Sequence, residues 1–349
     1  MASEQLFFDR NENAYGPAPA CFSALRDVET SRLSMYSRDF ERGVSSPLSE
    51  RLARDFGVAE SSILLGYGAE DILKQTVHCF LGAGARILIP SHSWWYYQRL
   101  AGEVDGVTVE YPILEHGDTF AYDIDALLRV HDAERPSVVL LSSPNNPTGN
   151  ALAHDDLLHV LRRMKDTVVV LDQAYWSNAM ADDAVIASLH REFPSLMMIR
   201  TFSKYYALAG VRIGFAVLGE RLGTLSRFGA RYLGYHRLSE IVALAALDSP
   251  GYYRDIARHM AADREMFARV LGALPGFTVY RSEANFILVK IPEDLYAPLK
   301  EELTRRGLIV KFMNEPRLHS HMRITLGTQE QNRQLATSIV GFVGQKAVA

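Results

Sequence analysis

The chain of 349 residues is 48% apolar and 22% charged with a formal net charge of -4, enough for one large core or two linked ones. The small negative charge excludes a general basic surface for nucleic-acid phosphates or anionic lipid, so the expected partner is a small molecule, with no nucleic acid and no membrane. Cys21 and Cys79 lie far apart and outside any CxxC or Cys/His cluster, which argues against a disulfide framework or a metal site and fits a reducing, cytoplasmic setting.

The first residues carry charges and no apolar stretch of signal-peptide length, and no run of about 18 apolar residues follows anywhere. Gly66-Tyr67-Gly68-Ala69-Glu70-Asp71 precedes a helical pattern over 71–80, with Leu73, Val77 and Phe80 on one face. Glycines there can bring backbone amides to a phosphate, although a glycine-rich turn before a helix is usually only a turn. Strand-length apolar runs come at 86–89, 137–141, 167–171, 196–199 and 212–217, with a second helical pattern over 155–164 carrying Leu158 and Leu161. The runs are apolar throughout instead of alternating, as for parallel strands covered on both faces. The expected class is therefore α/β, a mostly parallel sheet sandwiched by helices. After about residue 245 the pattern changes to a long helix-like stretch over 252–274, a strand at 286–289, a helix at 295–306 and a strand at 321–325. This predicts a large domain over 36–245 and a smaller α+β domain made of 1–35 and 246–349.

Ligands of open parallel sheets bind at the carboxyl ends of the strands. Three successive strands end in polar groups: Ser142 to Gly149 after the second run, Asp172-Gln173-Ala174-Tyr175 after the third, and Arg200-Thr201-Phe202-Ser203-Lys204 after the fourth. Lys204 is one of seven lysines and the one placed in a polar loop between a strand and a turn; an exposed surface lysine is the ordinary alternative. Asp172 reads as a turn or helix-capping residue, or as a carboxylate set against a cationic ring nitrogen. Asn146 and Tyr175 can donate to a phenolic oxygen, and Ser203 and Arg212 can bind a dianion. An amine, a carboxylate, hydroxyl donors and an anion cradle are together what pyridoxal 5'-phosphate requires. Arg323, a cation within an apolar strand, is either an outward edge residue or a bidentate clamp for a substrate carboxylate.

With these residues identified, the chain resembles the fold-type I pyridoxal phosphate aminotransferases of class I/II, in the histidinol-phosphate aminotransferase-like branch, over nearly its whole length. The resemblance rests on Asn11-Glu12-Asn13, Gly68-Ala69-Glu70-Asp71, Ser143-Pro144-Asn145-Asn146-Pro147-Thr148-Gly149, Asp172-Gln173-Ala174-Tyr175, Arg200-Thr201-Phe202-Ser203-Lys204, the stretch Ala207 to Phe215, and Arg323-Ile324-Thr325-Leu326-Gly327-Thr328. It implies that Lys204 bonds the cofactor and moves protons, that Asp172 pairs with the pyridinium nitrogen, and that Asn146 and Tyr175 hold the ring hydroxyl. It assigns Gly68, Ala69, Glu70, Thr201, Ser203 and Arg212 to the phosphate, and Arg323, Asn146 and Tyr15 to the substrate. Tyr36 occupies the stretch that reaches the phosphate from an opposite subunit, so a homodimer is implied.

The implied activity moves an amino group from an amino acid or related primary amine to a 2-oxo acid. The alternative on the same fold is decarboxylation, lyase chemistry or oxidation of an amino acid. The chain departs from the family in three places. Gln173 stands where a glutamate is usual. His92 aligns with the aromatic that stacks on the cofactor ring, so an imidazole stacks, or Trp94 or Trp95 substitutes, or the aromatic run is core. The Asn-Glu-Asn motif begins at residue 11, leaving little of the family's N-terminal arm, which weakens histidinol phosphate as the substrate. Arg227, Arg231 and Arg237 offer cations to an acidic or phosphorylated substrate, or simply form an exposed helical face.

Overall fold

Val138–Ser142, Val168–Asp172 and Leu196–Thr201 are buried along nearly their whole length, so each must be covered on both faces. A computed structural model, which describes residues 5–177 and 184–348, shows how. They form the middle of a seven-stranded sheet in the order Ile63–Gly66, Gly214–Leu218, Leu196–Thr201, Val168–Asp172, Val138–Ser142, Arg86–Pro90, Val107–Tyr111. The pairings from Leu196–Thr201 to Val107–Tyr111 are parallel. Gly214–Leu218, expected as another parallel strand, instead runs antiparallel to both of its neighbours. The connection through residues 202–213 holds only a short 3-10 turn, Ala209–Val211, with no helix to carry the chain back along the sheet for a parallel return.

Helices cover the sheet where the apolar spacing predicted them. Ala69–Phe80 buries Ile72, Leu73 and Val77, and His154–Arg163 buries Leu157, Val160 and Leu161. Leu158, expected on that buried face, is only partly covered. Each fully buried aliphatic side chain contributes about 1.5–3 kcal/mol.

A second sheet of five strands has the order Leu6–Phe8, Leu308–Phe312, His321–Thr325, Phe286–Lys290, Thr278–Val279. The chain start thus joins the C-terminal segment, with Leu6 in register with Leu308 in a parallel pair. Pro250–Leu271 packs on Gln329–Val348 beside it. The two sheets are tied together by the hairpin Ile113–His116 and Thr119–Tyr122, whose Asp118 carbonyl accepts from Arg281 N at 2.8 Å and whose Glu115 accepts from Tyr280 Oη at 2.5 Å. Arg317 crosses from the small sheet to Ser91 O at 2.9 Å and Glu110 Oε2 at 2.8 Å.

Candidate active site

The carboxyl ends of the parallel strands and the edge of the small sheet enclose a cavity of about 790 Å³. Asp172, Asn146, Tyr175, Lys204, Thr201, Ser203, Arg212, Ala69, Glu70 and Arg323, all singled out from the sequence, line it. The convergence follows from topology, because adjacent parallel strands end at the same edge.

Lys204 is half-buried, and its Nζ donates to Arg10 O at 3.1 Å. Burial, then the charge of Arg323, lowers its pKa from 10.5 to about 8, so about a tenth is a free amine at pH 7, against well under a thousandth for an ordinary lysine. Asp172 is 4% exposed. Burial raises its pKa, opposed by two donors: Tyr97 Oη to Oδ2 at 2.7 Å and Ala174 N to Oδ1 at 2.8 Å. Tyr175 Oη accepts from Asn146 Nδ2 and from Asn11 Nδ2, each at 3.0 Å. Arg323 donates through Nη1 to Asn146 Oδ1 at 2.6 Å and through Nη2 to Asp9 O at 2.7 Å, while its Nε is buried without a partner among the described residues.

At the far end, Ala69–Phe80 starts after Gly68, which has φ +83° and no side chain to cap the helix. Its first N–H groups are left to the cavity that Ala69 and Glu70 line. The Arg212 guanidinium lies over Gly68, 2.9 Å from where a Cβ would stand, and donates to Glu70 Oε2 at 3.2 Å. Thr201 Oγ1 donates to Ser203 Oγ at 2.9 Å. A Cβ at Gly214 would meet Ala69 N at 2.8 Å, so only glycine lets this strand approach the helix start. Hydroxyls, amides and a guanidinium grouped in this way fit a phosphate dianion. A lysine with a lowered pKa and a buried carboxylate fit the carbonyl and the ring nitrogen of pyridoxal.

Other expected site residues lie elsewhere. His92 does not line the cavity; its ring packs 5.5 Å from Phe120, its Nδ1 lies 3.2 Å from Ser91 Oγ, and burial lowers its pKa. Ser93, Trp94 and Trp95 face the cavity instead. Tyr15 is also off the cavity, stacked on His259 at 5.7 Å, because the turn at Asn13 to Gly16 carries it toward Pro250–Leu271. Tyr36 is outside the cavity and 71% exposed. Arg231 pairs with Asp71 at 3.7 Å, Arg237 donates to Tyr36 O at 2.8 Å, and Arg227 donates to Thr224 Oγ1, so none of the three lines the cavity.

Gln173 has a defined role: its Oε1 accepts from Arg200 Nε at 3.1 Å, and that guanidinium lies 3.9 Å over the Trp176 ring. Its side chain therefore points away from the cavity. Asn11, in the Asn-Glu-Asn motif, and Tyr97, in the aromatic run, also line the cavity, as does Lys311. Lys311 lies on Leu308–Phe312, a strand beyond those expected from the sequence.

Comparison with known proteins agrees with this geometry. The model of the family "Aminotransferase class I and II" matches residues 3–339. The histidinol-phosphate aminotransferase of Ruminiclostridium cellulolyticum is 32% identical over 347 residues, covering 98% of this chain and 94% of that protein. The enzyme of the same name from Bacillus licheniformis is 31% identical over 95% of this chain and 90% of its own. Among solved structures, histidinol-phosphate aminotransferase from Sinorhizobium meliloti in complex with pyridoxal-5'-phosphate has a TM-score of 0.84 at 24% identity, covering 99% of this chain and 92% of that one. L-threonine-O-3-phosphate decarboxylase from Porphyromonas gingivalis reaches 0.81 at 22%, covering 97% and 99%; both show the shared fold. The match over almost the whole chain, together with relatives above 30% identity, places this protein in the class I and II aminotransferase family.

Proposed function

We propose that this aminotransferase holds pyridoxal 5'-phosphate on Lys204 and moves an amino group from an amino acid or related primary amine bearing an anionic group to a 2-oxo acid. The observation that carries the reading is the convergence on one cavity of a lysine with a lowered pKa, a buried carboxylate and an anion cradle. When bound, the cofactor supplies an electron sink for the bond broken at the donor's Cα.

The chain's own residues do the rest. Asp172, ionised, holds a proton on the ring nitrogen. Asn146 and Tyr175 orient the ring through its hydroxyl. The amides of Ala69 and Glu70, with Thr201, Ser203 and Arg212, hold the phosphate. Lys204 would hold the cofactor covalently and, as a free amine, would take the proton from the donor's Cα. Its lowered pKa leaves it basic and partly unprotonated near neutral pH. Arg323, with one nitrogen unpartnered, clamps the donor's carboxylate or phosphate. Because the curated relatives carry the name histidinol-phosphate aminotransferase, histidinol phosphate is the first donor to try, with 2-oxoglutarate as acceptor.

The division of labour follows the two sheets, with 36–245 as the cofactor domain and 1–35 plus 246–349 as the smaller domain that brings Arg323. The exposed Leu33, Met35, Tyr36, Phe40, Tyr232 and Leu233 fit the face of a homodimer in which Tyr36 reaches the partner's phosphate site. No helix among the described residues is long and apolar enough to cross a membrane, which is consistent with a cytoplasmic enzyme.

The test is borohydride reduction of the cofactor-loaded protein followed by peptide mapping, then single turnover with a panel of amines. A cofactor adduct on the Lys204 peptide and a stoichiometric oxo product from one donor are expected. An adduct on another lysine, or release of CO2 without an oxo product, would overturn the assignment.

A further inference from the structure

Tyr97, on Tyr96–Gly102, donates to Asp172. Burial, with the Asp172 charge adding to it, also raises the pKa of Tyr122 and Tyr175, whose hydroxyls bond elsewhere: Tyr122 donates to Ser142 O, and Tyr175 accepts from Asn146 and Asn11. None of these groups is a cation, so no opposite charge offsets the burial of Asp172. Its two oxygens have one donor each, the Ala174 amide on Oδ1 and the Tyr97 hydroxyl on Oδ2 at 2.7 Å. Tyr97 is itself 2% exposed and lines the same cavity. Its phenol is pushed well above its ordinary value by burial and by the Asp172 charge, so it stays a donor at every working pH.

We propose that Tyr97 is a positioning residue of the transamination: its hydroxyl keeps Asp172 oriented toward the cavity and ionised, so that Asp172 keeps the cofactor's ring nitrogen protonated. The proposal rests on the cofactor reading above. The protein sets no cation against this buried carboxylate, so before the ring nitrogen's proton joins it and beside that proton afterwards, these two hydrogen bonds are the protein's own support for its charge. The Ala174 amide is fixed by the turn, which leaves Tyr97 as the side chain that sets the balance. Tyr97→Phe removes one oxygen and almost no volume. It makes Asp172 the better base, so the proton it shares with the ring nitrogen is drawn toward the carboxylate.

The test uses the holoenzyme loaded with pyridoxal 5'-phosphate carrying 15N at the ring nitrogen, in wild type, Tyr97→Phe, Asp172→Asn and the double variant. Nitrogen NMR across pH and steady-state kinetics are read together. The proposal expects the proton shared by Asp172 and the ring nitrogen to move toward the carboxylate in Tyr97→Phe, so that the nitrogen signal shifts toward that of unprotonated pyridine across the working pH range. It also expects kcat to fall about tenfold, the weight of one hydrogen bond to a charged group, with KM for the donor within about twofold. In the Asp172→Asn background, adding Tyr97→Phe should change neither. Equal nitrogen titrations in wild type and Tyr97→Phe, or a full further loss in the double variant, would overturn the role of Tyr97 while leaving the cofactor reading intact. A wild type that binds no labelled cofactor would overturn both. If Tyr97→Phe does not load, Tyr97→His, which keeps a ring donor, takes its place. A nitrogen that stays protonated supports the role, and one that behaves as in Asp172→Asn overturns it.

Discussion

Replacing Lys204 with methionine should stabilise the cofactor-free protein at neutral pH while abolishing its activity. The structure lowers the Lys204 pKa from 10.5 to about 8, so the folded state binds the proton less well than the unfolded chain. A shift of that size, at 1.36 kcal/mol per unit, amounts to about 3 kcal/mol, and to about 2 kcal/mol once the open cavity beside the half-buried side chain is allowed for. The penalty is fully present below pH 8, where both states would carry the charge. It shrinks as pH rises, and it is gone above 10.5, where neither does. Lys204→Met removes it, at the cost of the bond to Arg10 O, worth about 1 kcal/mol at any pH. Urea unfolding of both proteins, stripped of cofactor, at pH 7, 8.5 and 10 reads the difference. With a slope of about 2–3 kcal/mol/M, the variant's advantage in midpoint should fall by roughly 0.5–0.7 M between pH 7 and 10, about a quarter of the penalty remaining at pH 10. A difference that stays flat across this range, or that grows with pH, would refute the argument that burial and the neighbouring guanidinium disfavour the charged form of this lysine.

Arg323→Ala should raise KM for an anionic amino donor by about 30- to 1000-fold, the loss of a charge-assisted bidentate contact, and should spare an amine without carboxylate or phosphate; comparing KM for the two donors checks it. Arg323→Lys should recover only part of this, because an ammonium cannot span both Asn146 Oδ1 and a second acceptor. Gly214→Ala forces a Cβ against Ala69 N and Gly68 C and should destabilise the fold by about 1–3 kcal/mol, weakening cofactor affinity as well, by thermal melting and by cofactor titration. Tyr175→Phe leaves two amide donors, on Asn11 and Asn146, without their shared acceptor and should cost about 1–3 kcal/mol in unfolding free energy, measured in urea.

Much of the site was legible because parallel strands report their ends. Asp172 and Lys204 follow apolar runs that can only be central strands, and central parallel strands end at one edge. Direction was less legible: the run that became Gly214–Leu218 looks like its neighbours, and it is the helix-free connection after Leu196–Thr201 that goes with an antiparallel strand. Contacts between distant segments were the hardest to read. Nothing in the aromatic run 94–97 tells that Tyr97, not Trp95, turns back onto Asp172, since this depends on where Tyr96–Gly102 begins. His92 was aligned with a ring-stacking aromatic, but the chain turns it to Phe120 and brings Trp94 and Trp95 round to the cavity. Tyr15 and Asn11 are four residues apart in one loop, yet the left-handed φ of 55° at Asn11 sends that side chain to Tyr175 while Tyr15 continues to His259.

The central claim is tested most directly by the visible absorbance of the purified protein after incubation with pyridoxal 5'-phosphate and gel filtration, wild type beside Lys204→Ala. The account predicts a visible band in the wild type that survives filtration, is missing in the variant, and disappears on adding one amino donor. A wild type that leaves the column without the band would contradict it.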